Sequence, residues 1–256
     1  MNEQSTSRTV GSDRTLFGIL EALVELDGAT VTELAGELGV AKSTVHQHLA
    51  TLFELGYVVK DDGEYNVGLR FLTIGEYAKE RHAAVKLVRP MVEQLAAETG
   101  ERAQFFVEEH GQGIYLHTVT GERAVQANRH TGELRYLHSS AGGKAILARM
   151  DESAVETVLD EHGLPAETER TITDRETLFS ELKSTRERGY SINKEESITG
   201  LWAIGVPVVV DGEMVGAFSV SGPRHRLENS GIDEDLSRLL LATANELEIK
   251  LQYDES

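Results

Sequence analysis

The first seventy residues of the chain carry their apolar side chains in two successive periods. Helical spacing covers residues 14–26, 30–38 and 42–55. The second segment opens with a capping-box pattern, Thr30 with Glu33, and Gly39 supplies a tight turn before the third. The period then changes to two around Asp62–Gly63, a pair that suits a type I′ hairpin. Three helices followed by a hairpin predict a winged helix-turn-helix.

The third predicted helix has two unlike faces. Its apolar positions recur at i, i+4, i+7 and i+8 and are expected to face the core: Val45, Leu49, Leu52 and Phe53. The other face is polar, and no acid occurs between Glu37 and Glu54, although the chain has 43 Asp and Glu against 25 Lys and Arg and a net charge of −18. This pattern indicates a negatively charged partner. The alternative is a small helical bundle in which this helix is merely amphipathic.

Beyond residue 70 a long helical segment is followed by short strands and helices. The helical segment, 71–98, is expected to break at Arg89–Pro90 because proline interrupts a helical hydrogen-bond ladder. A hairpin over 203–220 turns at Asp211–Gly212. The other predicted strands are 103–109, 113–119 and 124–128, and the predicted helices are 141–150, 152–163, 175–189 and 233–252. Antiparallel strand pairs flanked by helices predict an α+β domain of the sensor type.

Composition narrows the possible chemistry. The chain has no cysteine, which excludes disulfides, thiolate metal sites and cysteine nucleophiles. It lacks both a long apolar run and the apolar core of a signal peptide, so we expect a cytoplasmic protein without a membrane partner. Residues 1–13 are polar and aperiodic and are expected to be disordered. Acids occur in every segment, which indicates a salt-adapted, halophilic protein. An ordinary acidic protein is the alternative.

Five motifs carry a resemblance to a known family: KSTVHQHLATLFELGYV, RPMVEQLAAETGE, LHSSAGGKAILA, GYSINKEESITGLWAIGVPV and GAFSVSGP. In this order and spacing they are similar to those of IclR-type transcriptional regulators, along nearly the whole chain. The resemblance implies a winged helix-turn-helix over residues 14–70 that binds operator DNA, a linker helix over 71–100, and a GAF-like domain over 101–256 that binds a small effector. It also implies a homo-oligomer, either a dimer or a dimer of dimers.

The candidate DNA contacts lie mainly on the third helix. When the N-terminal half of this helix enters the major groove, Gln47 can pair with adenine and His46 can donate to a base acceptor. The remaining candidates can reach phosphates or base edges: Arg14, Lys42, Ser43, Thr44 and Thr51. Solvation alone also explains Thr44 and Thr51. A metal site at His46 and His48 is excluded, because residues two apart on a helix point in nearly opposite directions.

Two positions in this region depart from the family pattern. Gln47 stands where the family often has arginine. The tip of the predicted hairpin, residues 61–64, is acidic where a phosphate contact would favour basic residues. These departures weaken the case for the hairpin as a phosphate contact and for an operator sequence borrowed from relatives.

The resemblance also implies an effector pocket, lined by Ala141, Gly142, Asn193, Ala203, Ser219 and Ser221. Ser219 and Ser221 are two apart on a predicted strand, so their hydroxyls point to one face. The small residues that open the helix at Ala141 suit a carboxylate through backbone N–H groups, but close packing of the helix on the sheet explains them equally well. Leu137 and Trp202 are candidates for the apolar walls. The expected effector is a small organic or sugar acid.

Enzyme activity is the rival hypothesis, and the sequence disfavours it. A phosphate loop ending at Gly143–Lys144 would need glycine at position 138 and serine or threonine at 145, where the chain has His138 and Ala145. Neither Ser219 nor Ser221 stands in the Gly-x-Ser-x-Gly pattern of a serine hydrolase. We therefore expect no catalytic residues, no metal and no cofactor.

Overall fold

The computed structural model describes residues 9–82, 84–125, 130–228 and 232–254. The chain divides into two compact units between Arg81 and His82. The first eight residues of the predicted disordered tail lie outside the described residues. The first helix begins at Gly11, so residues 11–13 of that tail are helical.

The first unit is built from three helices, a hairpin and a fourth helix. These elements are α1 (Gly11–Glu25), α2 (Val31–Leu38), α3 (Lys42–Glu54), β1 (Val58–Asp61), β2 (Glu64–Val67) and α4 (Phe71–Glu80). Their buried apolar side chains form one cluster, which includes Ile19, Leu34, Val45 and Leu49. This arrangement is the predicted winged helix-turn-helix.

Local sequence signals set the turns of this unit. Thr30 and Glu33 form both hydrogen bonds of the capping box at the start of α2. Gly39 ends α2 in the left-handed region, with φ of 64°. Asp62 and Gly63 both have positive φ, as a type I′ hairpin requires.

The expectation that Phe53 faces the core is wrong, because its side chain is 54% exposed. At about 100° per residue, position i+8 lies roughly 80° from Val45 around the helix. Val45, Leu49 and Leu52 stay within the buried stripe, and Phe53 falls outside it.

The second unit is a six-stranded antiparallel sheet with helices on both faces. Its strands are β3 (Arg102–Glu109), β4 (Gln112–Thr120), β5 (Leu134–Tyr136), β6 (Ser191–Lys194), β7 (Leu201–Val210) and β8 (Glu213–Pro223), in the order β5-β4-β3-β8-β7-β6. Its helices are α5 (Val85–Thr99), α6 (Ala141–Leu147), α7 (Glu152–His162), α8 (Arg175–Arg188), α9 (Arg224–Glu228) and α10 (Ile232–Asp254). The fold is α+β, as predicted.

The two faces of the sheet bury separate apolar clusters. One face, with Phe105, Trp202 and Phe218, packs against α5 and α10. The other face, with Phe106 and Ala217, packs against helices α6 to α8. Because side chains alternate along a strand, neighbouring residues such as Phe105 and Phe106 belong to opposite cores.

The segment predicted to form the linker consists of two helices, and its break was predicted at the wrong place. α4 ends at Glu80 and α5 begins at Val85, and Pro90 lies inside α5. Pro90 is on the exposed face, while Val88, Met91 and Val92 are buried. Burial of that apolar face maintains the helix despite the backbone hydrogen bond that proline cannot make.

The strand predicted over 124–128 is not supported. Ala124 and Val125 are not in a strand, and 126–128 lie outside the described residues. The edge of the sheet is instead formed by β5, which pairs with β4. Within the described part of the chain, no helix is both long and apolar enough to span a bilayer.

Candidate DNA interface and effector cavity

The exposed face of α3 brings most of the predicted DNA contacts together. Its exposed residues include Lys42, Ser43, His46, Gln47 and Thr51. Thr44 is half-buried, and Arg14 is exposed on α1. The Thr51 hydroxyl donates to the Gln47 carbonyl at 3.1 Å, so part of its hydrogen-bonding capacity is used within the helix. His48 is half-buried, as expected for a residue turned away from this face.

The start of α3 is favourable for an anion. Its first turn contains no acid, and the N-cap residue Ala41 provides no side-chain hydrogen bond. The first backbone N–H groups of a helix have no partner within the helix, and the helix dipole adds partial positive charge there. Together with Lys42, this end of α3 has the electrostatics that phosphate groups prefer.

The hairpin has an acidic tip, and two basic side chains lie on and after its strands. Lys60 on β1 is exposed and lies 4.9 Å from the centre of the Tyr65 ring. Arg70 donates to the Leu55 carbonyl at the end of α3 and stacks over Tyr57 at 4.8 Å. The tip, residues 61–64, is exposed. Lys60 is therefore a candidate phosphate contact, which the sequence analysis missed because the neighbouring acids dominate the hairpin.

A narrow cavity of about 30 Å³ lies in the second unit, between the sheet and the start of α6. All six candidate effector residues line it: Ala141, Gly142, Asn193, Ala203, Ser219 and Ser221. The cavity also has wall residues that the sequence analysis did not select, among them Arg102, Gln104, Phe106 and Tyr115.

The pairing of β3 with β8 orders the polar groups of the cavity in rows. From one end to the other the paired residues are Arg102 and Ser221, Gln104 and Ser219, and Phe106 and Ala217. The polarity therefore falls along the strands, from a cation with a hydroxyl to an aromatic ring. Arg102 is 6% exposed and is the single charged residue among the described residues that line the cavity.

Close packing explains two glycines at the α6 end of the cavity. A Cβ at Gly143 would lie 2.3 Å from the Leu137 carbonyl oxygen, and one at Gly205 would lie 2.5 Å from the Ala141 carbonyl. Ser140 caps α6, because its Oγ accepts the Gly143 N–H at 3.1 Å. Of the two explanations left open by the sequence, packing of α6 on the sheet is the one these distances support.

Asn193 lies in the cavity wall with its amide engaged by the protein. Its Nδ2 donates to the Ser139 carbonyl at 2.6 Å and to Ser197 Oγ at 3.3 Å. Its Oδ1 accepts the backbone N–H of Glu196 at 2.9 Å. These bonds hold the loop after β6 against the start of α6, so Asn193 shapes the cavity.

A buried ion pair lies beside the cavity. Lys144, on α6, is fully buried, and its Nζ lies 2.7 Å from Glu196 and donates to the Ile192 carbonyl at 2.6 Å. Burial raises the pKa of the Glu196 carboxyl, although the Lys144 ammonium opposes this effect. The pair joins α6 to β6 and to the loop that follows it.

Leu137 and Trp202 do not line the cavity, contrary to expectation. Trp202 packs in the cluster with α5 and α10, and Leu137 belongs to the cluster beneath α6 to α8. Because Ala203 faces the cavity, strand alternation turns Trp202 to the opposite face. Among the described residues there is also no group of acidic or histidine side chains that could hold a metal ion.

Comparison with known proteins covers both units. The IclR helix-turn-helix domain matches residues 15–62, and the family described as bacterial transcriptional regulator IclR C-terminal matches residues 75–249. The chain belongs to the IclR family. It is a transcriptional regulator with an N-terminal helix-turn-helix DNA-binding domain and a C-terminal effector-binding domain, and the hydrolase alternative is not supported.

Individual IclR relatives match over nearly the whole chain. The probable HTH-type transcriptional regulator ArcR of Halobacterium salinarum is 35% identical over 239 residues, 91% of each chain. The HTH-type regulator KdgR of Escherichia coli is 29% identical over 250 residues, 96% of this chain and 95% of KdgR.

Solved structures of IclR proteins share the fold. IclR of Thermotoga maritima has a TM-score of 0.77 at 28% identity, over 94% of this chain and 98% of that one. An IclR homologue of Microbacterium hydrocarbonoxydans, crystallised with 4-hydroxybenzoate, has a TM-score of 0.77 at 23% identity, over 93% of this chain and 99% of that one.

Proposed function

We propose that this IclR regulator controls a metabolic operon by binding double-stranded operator DNA with the exposed face of α3. The acid-free face in a chain of net charge −18 carries this proposal. Gln47 and His46 read base edges, and Ser43 and Thr44 contact phosphates or bases. Lys42, Arg14 and Thr51 contact the DNA backbone.

Selection of bound fragments from random DNA, followed by footprinting, tests the DNA proposal. Gln47→Ala is expected to cost about 1–3 kcal/mol and to relax one base position, whereas Lys42→Ala weakens all sequences alike. Lys250→Ala, in the exposed part of α10, is the control and leaves the footprint unchanged. If Gln47→Ala and Lys42→Ala both leave the footprint and affinity unaltered, α3 is not the reading helix.

We also propose that the protein binds DNA as a homodimer, formed in part through α4. No described residue of α4 is buried in the single chain. Three of its apolar side chains, Leu72, Ile74 and Tyr77, are 51–69% exposed. A second copy would cover this surface and would match a two-fold symmetric operator whose half-sites lie about 34 Å, or a small multiple, apart.

Sedimentation velocity tests the dimer. Leu72→Glu together with Tyr77→Glu is expected to shift the protein toward the monomer and to weaken operator binding. Glu76→Gln, on the same helix, is the matched control and preserves the dimer. A double variant that sediments as the wild type contradicts the assignment of α4.

For the effector, we propose a small organic acid bound in the cavity of the second unit. The six expected residues line this cavity, and two of them are serines on the same face of β8. The relative from Microbacterium hydrocarbonoxydans was crystallised with 4-hydroxybenzoate. Ser219 and Ser221 orient the ligand beside Ala141, Gly142 and Ala203. Asn193 holds the wall in place.

A thermal-shift screen of organic and sugar acids tests the effector site. At a ligand concentration near one hundred times Kd, binding stabilises the folded state by about 2.7 kcal/mol, a shift of roughly 5–10 °C. A hit should also change operator affinity and should be lost in Ser219→Leu with Ser221→Leu. A hit that survives the double substitution does not bind in this cavity.

A further inference from the structure

Resting on the proposed effector site, we propose that the cavity selects a compact monocarboxylate, with Arg102 as the residue that binds its single carboxylate. From the sequence, the backbone N–H groups at the start of α6 were the candidates for binding a carboxylate. The seven residues of α6 and its close contact with β7 at Gly205 favour a packing role instead.

The charge of the cavity lining favours an anionic ligand. The chain carries net charge −18, yet the described residues lining the cavity include one cation, Arg102, and no carboxylate. The nearby acid Glu196 is neutralised by Lys144 at 2.7 Å. A guanidinium presents a planar set of N–H donors that matches a carboxylate, and a buried charge–charge contact is less screened than a surface one.

The position of Arg102 places neutral hydrogen-bonding groups beside a bound carboxylate. It lies at one end of the cavity, opposite Ser221, with Gln104 and Ser219 in the next row. Successive residues on one face of a strand are about 6.5 Å apart. A carboxylate at Arg102 therefore places a nearby hydroxyl or keto oxygen beside Gln104 and Ser219, within reach of neutral donors.

The far end of the cavity limits the rest of the ligand. Phe106 and Tyr115 form a tilted ring pair there, with centroids 5.0 Å apart, and Phe106 is 1% exposed. Among the described lining residues there is no cation to pair with a second carboxylate at this end, and a polyhydroxy chain would leave hydroxyls without partners beside the two rings. The cavity is also small, which favours a compact ligand body. The preferred ligands are thus short keto or hydroxy monocarboxylates and simple benzoates.

Calorimetric titration of the full chain tests this selection. The probes are 2-oxobutanoate, benzoate and 4-hydroxybenzoate, with benzamide as the neutral analogue of benzoate, terephthalate as the dicarboxylate and gluconate as the polyhydroxy acid. At least one monocarboxylate is expected to bind, and benzoate is expected to bind at least tenfold more tightly than benzamide or terephthalate. Gluconate is expected to bind more weakly than the best monocarboxylate. Binding by none of the monocarboxylates, or equal binding of benzoate and benzamide, overturns the proposal.

Variants separate a charge effect from a structural one. Arg102→Gln should weaken the monocarboxylate by about ten- to a hundredfold and bring the benzoate-to-benzamide ratio near one, while Arg102→Lys restores part of the ratio. Arg89→Gln, an exposed arginine of the same unit, is the control. If Arg102→Gln does not fold, the ratios measured on the wild type still decide.

The same variants also separate a failure of the role proposed for Arg102 from a failure of the proposed effector site. If the double variant Ser219→Leu with Ser221→Leu abolishes ligand binding but Arg102→Gln does not change it, the ligand binds in the cavity and the proposed role of Arg102 is refuted. A ligand unaffected by both sets of substitutions refutes the effector site as well.

Discussion

Replacing Lys144 with methionine should strongly destabilise the second unit. The side chain of Lys144 is 1% exposed and that of Glu196 is 9% exposed, so the substitution leaves a carboxylate buried without its partner. Removing one member of a buried ion pair costs about 3–5 kcal/mol. For a unit of this size the midpoint of thermal unfolding should fall by roughly 10 °C.

Trp202 provides the assay, because it is the single tryptophan of the chain and is 7% exposed in the core of the second unit. Its fluorescence is followed during heating at neutral pH. The control is Lys250→Met, which breaks an exposed pair with Glu246 and should cost less than about 1 kcal/mol. Lys144→Met with Glu196→Gln should recover part of the loss, since neither residue of the pair then carries a charge.

The pH dependence of Lys144→Met gives a further check. Burial already raises the pKa of Glu196, and removing Lys144 removes an effect that lowers it. A carboxyl with a raised pKa in the folded state binds its proton more tightly there than in the unfolded state. The variant should therefore regain stability relative to wild type as the pH falls through that raised pKa. A Lys144→Met variant that melts within 2 °C of wild type would have lost less than about 1 kcal/mol, which refutes the buried-pair reasoning. A loss of stability that grows as the pH falls also refutes it.

Four smaller predictions concern stability. Thermal stability should rise from dilute buffer to about 1 M salt, because salt weakens the repulsion among the acidic side chains of a chain with net charge −18. A melting temperature that does not change with salt would contradict salt adaptation. Thr30→Ala should destabilise the first unit by about 1 kcal/mol, measured by circular dichroism, through loss of the capping box. Gly36→Ala should stabilise it by about 0.5–1 kcal/mol, since nothing lies within 4 Å of the added Cβ in the middle of α2. Gly205→Ala should destabilise the second unit by about 1–3 kcal/mol in the Trp202 melt, because its Cβ would overlap the Ala141 backbone; unchanged melting would refute the close contact.

Local features of the fold could be predicted from the sequence because their causes are local. The capping box at Thr30 and the hairpin turns at Asp62–Gly63 and Asp211–Gly212 depend on a few adjacent residues, and the structure has them as predicted. Pro90 shows the limit of local rules. Its helix is maintained by an apolar face packed against the sheet, which no neighbouring residue reveals.

The candidate cavity was predictable only in part. Alternation along β8 correctly placed Ser219 and Ser221 on one face, and both line the cavity. Arg102 was missed because a cation at the start of a strand is ordinarily solvent-exposed, and only the pairing with β8 and the cover of α6 bury it. Trp202 was misplaced because the predicted hairpin began at residue 203, whereas β7 begins at Leu201. Trp202 is therefore part of the strand, and the alternation of side chains turns it away from the cavity.

The separate cores of the two units have a consequence for evolution. Among the described residues, the apolar cluster of the first unit draws on positions between Leu16 and Phe71, and the clusters of the second unit draw on positions from Ala84 onward. No described residue belongs to both sets. Substitutions that retune operator reading on α3 therefore leave the packing around the cavity intact, and the reverse also holds. Recombination within the chain near residue 82 can thus join an existing DNA specificity to a new chemical signal without repacking either unit.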